Sequence, residues 1–200
     1  MKHELEHFHI GESYGGNQDW FPTFMMRIGG CGAETACDSS VYFAAHRGLT
    51  RIAPKNAPDL TREDYVRFAY RMQPYLSPRA SGIDRLEIYM DGYAKYLRDC
   101  GETRLTMTPL HGTMPVETAR EAVVRQIDAG YPIPTLVLNH RNKQYRDYIW
   151  HWFLINGYDD TDGAFLVKAV TYSKFEWLDL GELWDTGRTR RGGLVLYRID

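Results

Sequence analysis

The sequence predicts an α+β fold: a helical N-terminal part packed on a C-terminal antiparallel β-sheet. Three observations predict it. Apolar residues recur at 3-4 spacing in segments up to Gly130, whereas beyond it they form short β-type runs. Turn-forming residues separate those later runs. Helices come first and strands second, an order that favours α+β over alternating α/β. The chain has 200 residues, which suits a single domain spanning 1–200 that buries a proper core without disulfides or a structural metal.

The elements follow in order. Tyr14 to Pro22 is rich in Gly and aromatics and reads as an ordered loop, ended by Gly29-Gly30. A helix is expected over 33–46, with Gly48 where a C-terminal cap belongs. Its small residues Ala33, Ala36, Cys37, Ser40 and Ala44 suit close packing. Thr61 and Asp64 form a variant capping box that opens a helix to about Tyr75. A third helix is expected over 84–100, ended by Gly101, then a short strand over 104–108. Pro115 starts a fourth helix that stops before Gly130. Strands are expected over 133–139 and 148–156, with Gly157-Tyr158-Asp159-Asp160 as the turn, and then over 164–171, 175–180 and 194–199.

Charge and composition exclude several functions. Lys and Arg number 24 against 26 Asp and Glu, so the chain has no basic footprint for nucleic acid. Three cysteines are too few and odd in number for a disulfide framework. The first ten residues lack an apolar signal core, and no run approaches the roughly 18 apolar residues of a membrane span. A cytoplasmic protein with reduced thiols and no membrane partner is expected.

One of those thiols stands out. Cys31 lies in Gly29-Gly30-Cys31-Gly32-Ala33, where loop becomes helix. Unpaired amides and the positive end of the helix dipole favour a thiolate there. Gly30 and its neighbours leave room for a substrate backbone. Cys37 lies about 240° further around the helix and reads as core filler, and Cys100 ends a helix and reads as structural. Among seven histidines, His151 sits alone in an apolar strand, where a buried ring nitrogen needs a partner. It is the expected general base. No Cys and His pair has the close spacing of a zinc site, so no metal or other cofactor is expected.

Together these segments resemble the papain-like cysteine peptidase superfamily, and within it the bacteriocin-processing (double-glycine leader) peptidases and their stand-alone bacterial relatives. Gln18 followed by Gly30-Cys31-Gly32-Ala33, the run from Pro132 to Leu138, and His151 to Asp159 carry the resemblance. It implies Cys31 as nucleophile, His151 as base, and Gln18 as an oxyanion donor beside the Cys31 amide. The family orients its histidine with Asp or Asn about twenty residues later. The stretch 167–173 holds neither, which leaves Thr171 as the orienting residue. The implied activity is hydrolysis of a peptide or small amide through a Cys-His thiolate pair and a thioester acyl-enzyme. Trp20, Trp150 and Trp152 are expected to shape the pocket. The alternatives are acyl transfer on the same fold, as in a transglutaminase, and a peptidase-like domain that binds without catalysis.

Overall fold

Apolar spacing accounts for most elements in the computed structural model, which describes residues 1–200. The N-terminal segment departs first from the loop expected of it. It holds short strands β1 (Lys2–Glu4), β2 (His9–Ile10) and β3 (Ser13–Tyr14), a 3-10 turn over Gln18–Trp20, and helix α1 (Phe24–Gly29). The reason is non-local: β1 pairs with residues 157–159 at the far end of the chain, and no local pattern reveals such a partner.

Helix α2 (Cys31–Arg47) is the central helix. It is buried continuously from Cys31 to Phe43, which its small side chains permit. Ser39 and Ser40 turn their hydroxyls back onto the carbonyls of Thr35 and Ala36, at 2.9 and 2.8 Å. Gly48 caps the helix in the left-handed region at φ 67°. Helix α3 (Arg62–Met72) opens with the expected Thr61/Asp64 capping box. Helix α4 (Leu86–Asp99), strand β4 (Leu105–His111) and helix α5 (Val116–Asp128) follow, with Pro115 at the N-cap of α5.

The remaining chain supplies β5 (Ile133–Val137), β6 (His151–Asp159), β7 (Leu166–Thr171), β8 (Lys174–Asp179), a short helix α6 (Leu180–Trp184) and β9 (Gly193–Ile199). The sheet order is β4-β9-β5-β6-β7-β8, all antiparallel, with β1 extending the pairing of β6. The core is one continuous cluster running from Leu5 to Tyr197, so the helices and the sheet share a single interior. No helix is long and apolar enough to cross a membrane.

Among the boundaries that differ from expectation, two concern the histidine strand. Residues 143–148 form a 3-10 turn and Trp150 adopts φ 53°, so β6 starts at His151 and not at Tyr148. Gly157, Tyr158 and Asp159 belong to the strand, because β1 pairs with them, and the chain reverses over 160–165 instead. Gly157 matters here: a Cβ would stand 3.0 Å from the His3 carbonyl oxygen, so β1 would have to shift by a few tenths of an ångström to dock.

Candidate active site

The site assembles where the start of α2 meets the start of β6. Cys31 is the first residue of α2 and is 7% exposed. Cys31 and Trp152, the residue after His151, line the same cavity, which places the thiol near the first residues of β6. Burial pushes the Cys31 thiol up to about 11. The Trp152 amide opposes that shift, the nearby Glu34 carboxylate adds to it, and the amides of Gly32 and Cys31 itself oppose it again.

His151 is 3% exposed. Its Nε2 is 2.7 Å from Thr171 Oγ1, across the β6–β7 pair. The Tyr172 ring lies parallel to the imidazole, with centroids 4.8 Å apart and planes 4° from coplanar. Burial holds the imidazole down at about 4, since charging it there loses hydration. At neutral pH the resting site is therefore a neutral thiol and a neutral imidazole. The sequence suggested a thiolate–imidazolium pair. Burial of both groups, with a hydroxyl instead of a carboxylate on Nε2, is the physical reason for the difference.

Backbone strain concentrates at the same place. The non-glycine residues with left-handed φ are Trp150 (53°), Tyr172 (51°) and Ser173 (62°). The first precedes His151 and the other two follow Thr171. Such a conformation costs about 1–3 kcal/mol per residue and persists only where its surroundings enforce it. Trp150 is held by its N–H to the Leu138 carbonyl at 2.8 Å and Ser173 by its N–H to Gly16 at 3.1 Å.

The other residues singled out from the sequence separate into two groups. Trp150 and Trp152 line a cavity of about 330 Å³ that Cys31 also lines. Ile28, Ile83, Leu136 and Leu138 form further apolar wall. Gln18 is buried, and its Nε2 donates to the Arg27 carbonyl at 2.9 Å, which ties it to α1; it does not line the cavity beside Cys31. Trp20 does not line the cavity: its ring packs edge-on against Tyr65 at 5.9 Å, and the Arg62 guanidinium covers it at 5.2 Å. Gly30 does not line the cavity, and its lack of a side chain is needed for packing. A Cβ there would collide with the Met26 carbonyl oxygen and stand 3.0 Å from the Phe21 ring.

Three features of the site have no counterpart in the expectations above. Tyr172 lies just past the strand expected over 164–171, and its ring covers His151. The loop 78–84 closes one wall of the cavity, and its Ile83 carbonyl accepts the Trp152 indole N–H at 2.6 Å. A buried polar cluster lies along α2. There Asp38 accepts the Tyr65 hydroxyl and the Gly16 N–H, and the Glu34 carboxyl is held well above the carboxylate range, first by burial and then by Asp38. Two acids four residues apart on a helix of small residues were the available signal for that cluster. No group of three or more His, Cys, Asp or Glu is arranged to hold a metal ion. Comparison with known protein families, with curated proteins and with solved structures finds no match to this chain.

Proposed function

We propose that this chain is a papain-like cysteine hydrolase acting on an amide or ester carbonyl, with Cys31 as nucleophile, His151 as base and Thr171 as the residue that orients the base. The observation that carries the proposal is the 2.7 Å contact between His151 Nε2 and Thr171 Oγ1, on a histidine whose strand neighbour Trp152 lines the same cavity as the Cys31 thiol. In the productive tautomer Nε2–H donates to Thr171 and Nδ1 keeps its lone pair for the thiol proton.

The neutral resting pair defines the mechanism. His151 takes the Cys31 proton as sulfur attacks the carbonyl carbon, so thiolate forms only during attack. The amide of Cys31 and the side-chain amide of Gln18 stabilise the tetrahedral oxyanion. As the C–N or C–O bond breaks, the imidazolium returns the proton to the leaving group. Water, deprotonated by His151, then attacks the thioester. The C–S bond breaks, the departing sulfur recovers the proton and the carboxylic acid leaves.

Mass spectrometry after incubation with p-nitrophenyl acetate tests this. The expected result is an acetyl adduct on Cys31, absent in Cys31→Ala and formed much more slowly in His151→Phe. No adduct on Cys31, or an equal rate in His151→Phe, overturns the proposal. The lack of a carboxylate on His151 favours one second reading, a domain that binds acyl or peptide ligands without turning them over. Under that reading ligand binds and no adduct forms.

A further inference from the structure

Resting on the proposed hydrolase reading, we infer that the acyl group delivered to Cys31 is a hydrocarbon chain and not a glycine-terminated or other peptide segment. The cavity beside Cys31 holds about 330 Å³, within the range that accommodates a small organic ligand. Glycine has no side chain to fill it. Its walls are mainly apolar, with Ile28, Ile83, Leu136, Leu138, Trp150 and Trp152, and Arg79, Ser81 and Asp84 add polar groups.

Several hydrogen-bonding groups of those walls are already engaged, although Arg79 and Ser81 also line the cavity. The Trp152 indole N–H is held by the Ile83 carbonyl at 2.6 Å, which also occupies that carbonyl. The Trp150 indole N–H is held by Asn139 Oδ1 at 3.2 Å and its backbone N–H by the Leu138 carbonyl at 2.8 Å. Asp84, the acid of the lining, is paired with Arg190, whose guanidinium also lies over the Trp150 ring at 5.6 Å. A peptide backbone lying against the tryptophan and isoleucine walls would trade its water hydrogen bonds for groups already engaged, whereas a hydrocarbon gives up none.

The surface outside continues the same chemistry. Phe24, Met25 and Ile28 on α1 are 65%, 48% and 59% exposed, and Trp150 is 46% exposed. These are four of the seven large apolar residues left exposed on the whole chain. They leave an apolar strip running from the cavity along α1, which suits an occupant longer than the cavity itself.

The acyl step then has a defined substrate geometry. Cys31 sulfur bonds to the carbonyl carbon of an ester, thioester or amide. The hydrocarbon end lies in the cavity, and the alkoxide, thiolate or amine leaves with the proton held by His151. The other side of the site suits a polar leaving group, since the hollow beyond Thr171 and Tyr172 is lined by Asp19, Arg146, Asp147, Lys174 and Glu176.

The test compares acylation of Cys31 by p-nitrophenyl acetate, butyrate and octanoate, below their aggregation limits, with N-acetylglycine and N-acetylphenylalanine p-nitrophenyl esters. Octanoate is expected to acylate at least about a hundredfold faster than acetate in kcat/KM, given the transfer free energy of several buried methylenes, with the gain mainly in KM. Ile28→Glu, at an exposed position, is expected to cut the octanoate-to-acetate ratio about tenfold. Equal rates across the aliphatic series overturn the inference, and so does a preference for the phenylalanine ester over octanoate. In both cases the nucleophile reading survives, because Cys31 still carries an acyl group. If no ester labels Cys31, the hydrolase reading itself has failed.

Discussion

Replacing Thr171 by Val removes the only hydrogen bond that the His151 side chain makes, at 2.7 Å on a buried ring. The change is close to isosteric, so the loss is mainly of the hydroxyl. An imidazole nitrogen left buried without a partner costs about 1–3 kcal/mol, which predicts a drop of that size in unfolding free energy. The chemical loss follows from geometry. Without Thr171, neither the tautomer nor the ring rotation is specified by a hydrogen bond, and a misplacement of about 1 Å costs up to roughly a hundredfold in rate. Because the Tyr172 ring still holds the imidazole plane at 4.8 Å, a fall of about ten- to a hundredfold in Cys31 acylation is expected. Thr171→Ser keeps the oxygen and should stay within about threefold of the parent, given modest repacking costs. Thr171→Asp places a negative charge on Nε2 and should raise the imidazole from about 4 by roughly one to three units. The assays are urea unfolding, stopped-flow acylation and nitrogen-15 shifts of His151 against pH. Full activity and an unchanged His151 spectrum in Thr171→Val would refute the role given to Thr171.

Three further outcomes are expected. Glu34 is buried with its folded carboxyl raised above the unfolded value of 4.5; the native state therefore holds the proton longer, and this group's contribution to stability falls as pH rises above that value. Glu34→Gln should flatten that fall, measured by urea midpoints at acidic and mildly alkaline pH, and an equal slope in both proteins would contradict it. Gly30→Ala should lose about 1–3 kcal/mol by calorimetry, since the added Cβ meets the Met26 carbonyl and Phe21; unchanged stability would show that the α1–α2 junction yields freely. Tyr172→Leu should lower the His151 pKa by up to about one unit by removing a π face from the imidazolium, while Tyr172→Phe leaves it unchanged, as read by the same histidine titration.

The degree to which the sequence announced this architecture varies with the range of the cause. Helices α2, α3, α4 and α5 are legible because their causes are local: 3-4 apolar spacing, the Thr61/Asp64 box, and glycines at 48, 101 and 130 that take φ of 67°, 72° and 75°. The N-terminal strands are not legible, because β1 exists only through its pairing with β6. Cys31 and His151 could be singled out by chemistry, each being a reactive residue in an otherwise small or apolar segment. Thr171 was reachable only through the family resemblance, and its contact with His151 depends on the β6–β7 register. Tyr172 and the loop 78–84 were beyond reach, since a left-handed tyrosine and a loop carbonyl have no sequence signature. The protonation states were not legible either. A helix N-terminus argues for thiolate, and only the burial around Cys31 and His151 shows that desolvation outweighs it.

The most direct test is the pH dependence of Cys31 acylation by p-nitrophenyl acetate in the parent and in His151→Phe. With the thiol at about 11 and the imidazole at about 4, the reactive form is neutral thiol beside neutral imidazole. The parent rate should therefore rise through the acid range and stay nearly level across neutral pH. In His151→Phe only free thiolate reacts, and the rate should climb close to tenfold per pH unit up to the thiol pKa. A tenfold climb per unit in both proteins, with coincident rates, would contradict the account, because Cys31 would then react as an isolated thiolate without help from His151.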